Sequence, residues 1–429
     1  MTNRSTSIMF NTPGSMSSHN MSMKIFKKLL SVRYYLGSWT FLLLFFVFFI
    51  ADAASGMENP IHERIIQDVR EATIERADRF LMEAPVTVTA SVSERSAGDR
   101  NDFFSEGDYW WPDPENPDGP YIRRDGESNP NMFVHDRHAM IRLSDITATL
   151  ASAWIMTGDQ RYADHALEHY RAWFTDPNTL MNPNMLYAQA IHGRVTGRSI
   201  GLIDAYHLVE PAQAAIVFIE GGAFPAEDAQ RIKNWFGRFA TWMTTHEYGI
   251  QEMNHHNNHS TTWMVTAAIM AKLSGRQDIL DLCINRFKFI LLPDQMALDG
   301  SFPYEIDRTK PYGYSLFNMD AFANAAHILS TPDNNLWEFV THDGKSLALG
   351  MDFIVPFIED KSSWPYGEDI DIWEKWPVRQ SSLLFAGLAF GDPEIIELYL
   401  AQEAEPEHPE VIRNLPVRHP VIWLGLHPD

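Results

Sequence analysis

One pattern occurs three times along this chain and limits what it can fold into more than any other feature: an apolar helical run ends at a glycine and a second helical run follows almost at once. Trp154 to Gly158 leads into Arg161 to Leu167, Ala271 to Gly275 into Ile279 to Phe289, and Ala386 to Gly391 into Ile395 to Leu400. Glycine suits the left-handed position just past a helix C-terminus. Asp392 and Pro393 then read as an N-cap and a first helical residue. Each unit is an αα-hairpin by this reading. Repeated hairpins with little strand patterning predict an all-α fold, an (α/α) toroid or incomplete barrel of helical hairpins, with an irregular all-helical domain as the alternative. Another amphipathic helix is expected over 65–82.

The N-terminal part is set apart from this fold. Lys24, Lys27, Lys28 and Arg33 precede an apolar run from Trp39 to Ile50, and Ala51-Asp52-Ala53-Ala54 follows as an A-x-A cleavage pattern. Residues 1–54 are therefore expected to be a signal peptide and leader, and 55–429 a single toroid domain. The run is short for the roughly 20 residues that cross a bilayer, so no stable membrane span is expected after cleavage. A secreted or periplasmic location follows, with a retained anchor as the competing reading. Cys283 is the sole cysteine, so no intrachain disulfide is possible, and its apolar neighbours place it in the core rather than at a reactive site. The net charge of −22 argues against nucleic acid as a partner. An anionic substrate would need a local basic island.

Two stretches interrupt the helical pattern and are rich in aromatic and polar residues: 101–131, with Tyr109-Trp110-Trp111-Pro112-Asp113 and Tyr121-Ile122-Arg123-Arg124, and 298–314, with Arg308, Lys310, Tyr312 and Tyr314. Long irregular segments inside a compact domain are usually functional. The densest polar cluster is Asn254-His255-His256-Asn257-Asn258-His259-Ser260, directly before an apolar helix. His255 and His259 stand at i,i+4 but no H-E-x-x-H is formed, so no metal and no cofactor is expected. These residue types suit removal of a proton α to a carboxylate followed by loss of the β-oxygen substituent. Asn and Arg donate hydrogen bonds where charge accumulates, His takes a proton near neutral pH, and Tyr returns one, with a nearby Arg expected to lower its pKa.

Asn257-Asn258-His259-Ser260 with Trp263, then Asp299-Gly300-Ser301-Phe302-Pro303, Arg308 and Tyr314, resembles the alginate lyase superfamily of helical-toroid polysaccharide lyases. The Tyr-Trp-Trp-Pro-Asp-Pro and Tyr-Ile-Arg-Arg-Asp-Gly segments look like its N-terminal substrate-binding signature. The resemblance covers roughly 100–390 and implies metal-independent β-elimination on alginate or a related anionic polysaccharide. By position, Asn258 and Arg308 would neutralise the uronate carboxylate, and His259 would be the base or a second neutraliser. Tyr314 would be the acid, or acid and base together. Two tyrosines are on offer, and Tyr314 is preferred because the helix is expected to begin at Ser315; Tyr312 stays open.

Substrate contacts are expected from Asn257, His255, His256, Trp110, Trp111, Arg124, Gln189, His192, Arg194, Trp263, Lys310 and Tyr312. Arg123, Arg137 and Arg198 extend the basic island, while Trp364, Tyr366, Trp373 and Trp376 are candidates for the far end of the cleft. Three other readings compete. A β-1,4-glucuronan lyase would use the same roles, and a toroid glycoside hydrolase would need paired carboxylates from Glu305, Asp307, Glu368, Asp369 or Asp371. A non-catalytic glycan-binding protein would be expected to have lost one of the four catalytic positions.

Overall fold

The computed structural model describes residues 59–428, so the expected leader and its boundary at residue 54 lie outside the described residues. Helix α1 (Pro60–Phe80) is followed by short strands β1 (Phe104–Glu106), β2 (Trp110–Trp111) and β3 (Ile122–Arg123). Helices α2 (His135–Thr157) and α3 (Gln160–Phe174) precede strand β4 (Tyr187–Ala190), and a 3₁₀ segment (Ser199–Leu208) runs into α4 (Val209–Glu220). Then come α5 (Ala226–Thr245), α6 (Glu247–Met253), α7 (Asn258–Ser274), α8 (Gln277–Arg286), α9 (Leu292–Gln295), α10 (Pro303–Ile306) and α11 (Pro311–Leu329). The chain ends through α12 (Leu347–Glu359), α13 (Ser381–Phe390), α14 (Pro393–Ala401) and α15 (Pro409–Arg413).

The hairpins form where the glycines predict them. Gly158, Gly275 and Gly391 sit at φ of 68°, 74° and 61° beyond α2, α7 and α13, where an L-residue with a Cβ is strained. Asp392 caps α14 through its side chain with Pro393 in the first turn. Successive helices pack as pairs: α2 on α3, α7 on α8, α13 on α14, with α7 also against α4, α5 and α11. This is the (α/α) toroid. Helices facing other helices on several sides become apolar all round, which explains why α7 and α11 are buried along nearly their whole length. The apolar 199–220 segment is likewise a core element, most of it buried inside the protein.

Aromatic side chains fill the wall between α3 and α5: Phe174 lies 4.6 Å from Trp235 and 4.9 Å from Phe236 between ring centroids. Each such buried ring contributes about 1.5–3 kcal/mol of transfer free energy. Trp263 belongs to this core too, 1% exposed on α7, so its expected sugar contact is corrected. Cys283 is buried and its thiol is pushed up to about 12 by desolvation, so it is inert packing.

A buried ionic clamp fixes the C-terminal segment to the ring. His419 Nδ1 lies 2.7 Å from Glu210 of α4 and its Nε2 3.3 Å from Asp145 of α2, while the Arg418 and His419 backbone N–H groups donate to Glu210. Burial alone would lower the His419 pKa, but the two carboxylates outweigh it and raise it to about 9. A raised histidine stabilises fully below its unfolded value near 6.5, and that contribution fades as pH rises through about 9. Urea unfolding of His419→Gln is expected to show a loss of about 3 kcal/mol at pH 6 that shrinks above pH 9. A pH-independent loss would mean packing, not charge, holds the segment.

Candidate active site

The active-site cleft is built on the N-terminus of α7. Asn257 is the N-cap, its Oδ1 accepting from the His259 N–H, which turns Asn258 and His259 into the first helical turn. Gln295 locks that turn by donating to Asn257 O at 3.1 Å and Ser260 Oγ at 3.0 Å and accepting from Thr261 and Asn318. Asn258 donates its backbone N–H and its Nδ2 to the two oxygens of Glu305, each at 2.6 Å. His259 Nδ1 lies 2.5 Å from Oε1 of Glu252, a carboxylate with no solvent exposure. A carboxylate only accepts, so Nδ1 carries the proton and Nε2 is left with its lone pair for the cleft.

The opposite wall comes from α11 and the loop before it. Tyr314 stands in the first turn of α11, with the Arg308 guanidinium 4.6 Å from its ring and Tyr109 OH 3.1 Å from its own hydroxyl. Burial and the Tyr109 contact raise the Tyr314 pKa well above the usual phenol value, outweighing the lowering by Arg308. Arg308 does act in the expected direction, but burial and Tyr109 set the net result: the resting group is a neutral phenol, a proton donor.

The floor is a buried charge network. Arg137 pairs with Asp108 at 2.6 Å and Asp204 at 3.2 Å, and Arg413 pairs with Asp108 at 2.7 Å. Burial would raise Asp108, but Arg137 and Arg413 hold it at about 2. Gln189 adopts a positive φ of 50° on β4, an uncommon strain for a residue with a side chain; its backbone and side-chain oxygens both accept from Arg198 at 2.9 Å. The cleft encloses about 210 Å3 and is lined by Tyr109, Trp110, Arg123, Gln189, Arg198, Asn258, His259, Arg308, Tyr314 and Arg413, among others. A larger open groove of about 760 Å3 beside α5 offers arginine, lysine and hydroxyl groups but neither histidine nor tyrosine, so the acid–base chemistry points to the smaller cleft. Among the described residues no group of three His, Cys, Asp or Glu side chains is arranged to hold a metal ion.

Of the expected substrate contacts, Trp110 and Gln189 line this cleft beside Asn258, His259, Arg308 and Tyr314. Arg194 lies over Trp110 at 5.3 Å and His192 packs at a tilt on Tyr121 at 5.2 Å; both are exposed and lie outside the cleft lining. Trp111 donates to Glu127 O and carries Arg124 over its ring at 4.9 Å, a pair outside the cleft lining. His255 packs on His259 at 5.0 Å, and the exposed His256 packs on His255 and Tyr304. Three further contacts are corrected. Asn257 is spent as a cap. Lys310 is buried and paired with Glu410. Tyr312 is fully buried, donates to Phe357 O at 2.9 Å and packs against Trp364 and Trp373. Trp364 and Trp376 are buried likewise and do not line the cleft. The helix begins at Pro311 rather than Ser315, so Tyr312 and Tyr314 differ by about 200° around α11 and only one can face the cleft.

The carboxylates of the hydrolase reading are not free for it. Glu305 is taken by Asn258, Asp369 accepts from the Tyr312 and Gly313 N–H groups at 2.8 Å, and Asp307, Glu368 and Asp371 lie outside the cleft lining. Sequence reasoning missed Glu252, Asp108, Asp204, Gln295 and Arg413. Glu252 had a visible signal, seven positions before His259 on one approach to the helix.

Toroid, polar helix N-terminus and a facing Arg–Tyr pair together define a polysaccharide lyase. The chain belongs to the alginate lyase family, whose model matches residues 87–364. It is similar over 88% of its length, at 29% identity and a TM-score of 0.72, to the crystal structure of an alginate lyase from Bacteroides ovatus, 97% of which is covered. The fold is shared with alginate lyase A1-III of Sphingomonas species A1 in a structure complexed with a tetrasaccharide, at 14% identity and a TM-score of 0.52, covering 78% of this chain and 89% of that one. No curated protein matches the chain.

Proposed function

We propose that this lyase cleaves alginate, or a closely related polyuronate, by metal-independent β-elimination that leaves a C4–C5 unsaturated uronate end. The observation that carries the reading is the pairing, in one cleft, of a histidine with its proton held on Nδ1 by buried Glu252 and a tyrosine kept neutral by burial. The uronate carboxylate would be neutralised by Arg308, by Asn258 and by the partial positive charge at the α7 N-terminus, equivalent to about half an elementary charge. This makes the C5 proton more acidic. His259 Nε2 takes that proton, the electron pair forms the C4–C5 double bond as the C4–O bond breaks, and Tyr314 protonates the departing oxygen. Tyr109, hydrogen-bonded to Tyr314, stabilises the phenolate that remains.

Arg198, whose hydrogen bonds go to the neutral oxygens of Gln189, and Arg308 give an acidic protein the local positive charge that a polyanion requires. Export is part of the same proposal and rests on the basic and apolar pattern of residues 24–54. The test is ultraviolet absorbance of the unsaturated product on polymannuronate, polyguluronate and glucuronan, each with chelator present. A chelator-resistant rise on an alginate block supports the reading; a rise on glucuronan alone would reassign the substrate, and loss of all activity to chelator would overturn the metal-independent mechanism.

A further inference from the structure

The elimination scheme gives Glu305 no role, yet both of its carboxylate oxygens are committed to one proposed active-site residue. It is fully buried on the short α10, and both of its oxygens accept from the same residue, Asn258, through the backbone N–H and the side-chain Nδ2. An ordinary helix cap would need only the first of these bonds. The second fixes the amide: a carboxylate cannot donate, so the nitrogen end of Asn258 faces Glu305, and only the carbonyl oxygen and one N–H remain for the cleft.

We propose that Glu305 is a positioning residue for the lyase reaction, holding the Asn258 amide in the one orientation that lets it help neutralise the substrate carboxylate. This rests on the β-elimination reading given above. Its ionisation matters because a protonated Glu305 would place an O–H against one of Asn258's donors, and the amide would have to turn round to offer its oxygen. Burial raises Glu305 to about 7, against the lowering by the two Asn258 bonds, Arg308 and His259. The charged groups facing it are Arg308 on its own segment and His259 from α7, the latter backed by Glu252 of α6.

Glu305→Gln fixes the amide pattern of the protonated form at every pH with no change in size. The experiment measures kcat and KM of wild type, Glu305→Gln, Asn258→Ala and the double variant from pH 5.5 to 9 by unsaturated-product absorbance, with thermal unfolding of each. At pH 8.5, kcat of Glu305→Gln is expected to fall about 100-fold. The ratio to wild type should narrow to about tenfold at pH 6, where about nine-tenths of wild-type Glu305 is itself protonated. On the Asn258→Ala background the same substitution should cost almost nothing further, because it acts through that amide. A ratio that is constant with pH, or losses that multiply in the double variant, would overturn the proposal and leave Glu305 a structural cap. Absence of unsaturated product from wild type would instead remove the elimination reading, and this inference with it.

Discussion

Tyr314→Phe is expected to lower kcat about a thousand-fold while leaving oligouronate affinity within a few-fold of wild type. The substitution removes one oxygen from a buried ring whose packing and contact with the Arg308 guanidinium survive. What is lost is the proton for the departing oxygen and the hydrogen bond with Tyr109. Tyr312→Phe is the matched control, because that hydroxyl donates to Phe357 O away from the cleft. It should change stability by about 1 kcal/mol and leave kcat nearly intact. Steady-state kinetics with titration calorimetry on a short oligouronate separates the two effects, and equal losses for both variants would contradict the assignment.

Glu252→Gln should be of comparable size, a loss in kcat of about a thousand-fold, although Glu252 itself need never touch substrate. The glutamine amide can donate to Nδ1 of His259, which favours the tautomer with its proton on Nε2 and removes the lone pair from the cleft. Glu252 also has a second oxygen, buried without a partner. An unsatisfied buried carboxylate oxygen of this kind is costly at rest. Nitrogen-detected NMR of His259 in wild type and variant reports the tautomer directly. An unchanged tautomer with full activity would remove Glu252 from the mechanism.

The helical hairpins were legible because each turn needs a backbone conformation that glycine alone adopts freely, and Gly158, Gly275 and Gly391 stand where the apolar periodicity stops. Asn258 and His259 were legible for a related reason: a polar cluster in front of an apolar helix can only be a cap or a site, and here Asn257 is the first and its two neighbours line the second. The choice between Tyr312 and Tyr314 could have been made from Pro311, a residue suited to the first helical turn, which sets the two rings on different faces. The misreadings of charged residues share one cause. Lys310 was taken as a grip on substrate because its partner Glu410 lies 100 positions away, and Arg413 and Asp108, separated still further, meet only in the folded protein. Ion pairs carry no periodicity, so a sequence shows the charges but not which of them neutralise one another. Arg137 is the same case, a buried strut between Asp108 and Asp204 rather than a substrate contact.

The central claim is that the chain breaks a C–O bond by elimination and not by adding water. Digestion of polyuronate in heavy-oxygen water, followed by mass spectrometry of the oligosaccharides, tests it directly. Elimination predicts products lighter by one water than hydrolysis would give, with no solvent oxygen in the newly formed ends once carbonyl exchange is controlled for. Incorporation of one labelled oxygen per cleavage would contradict the account and return the cleft's carboxylates to the centre of the mechanism.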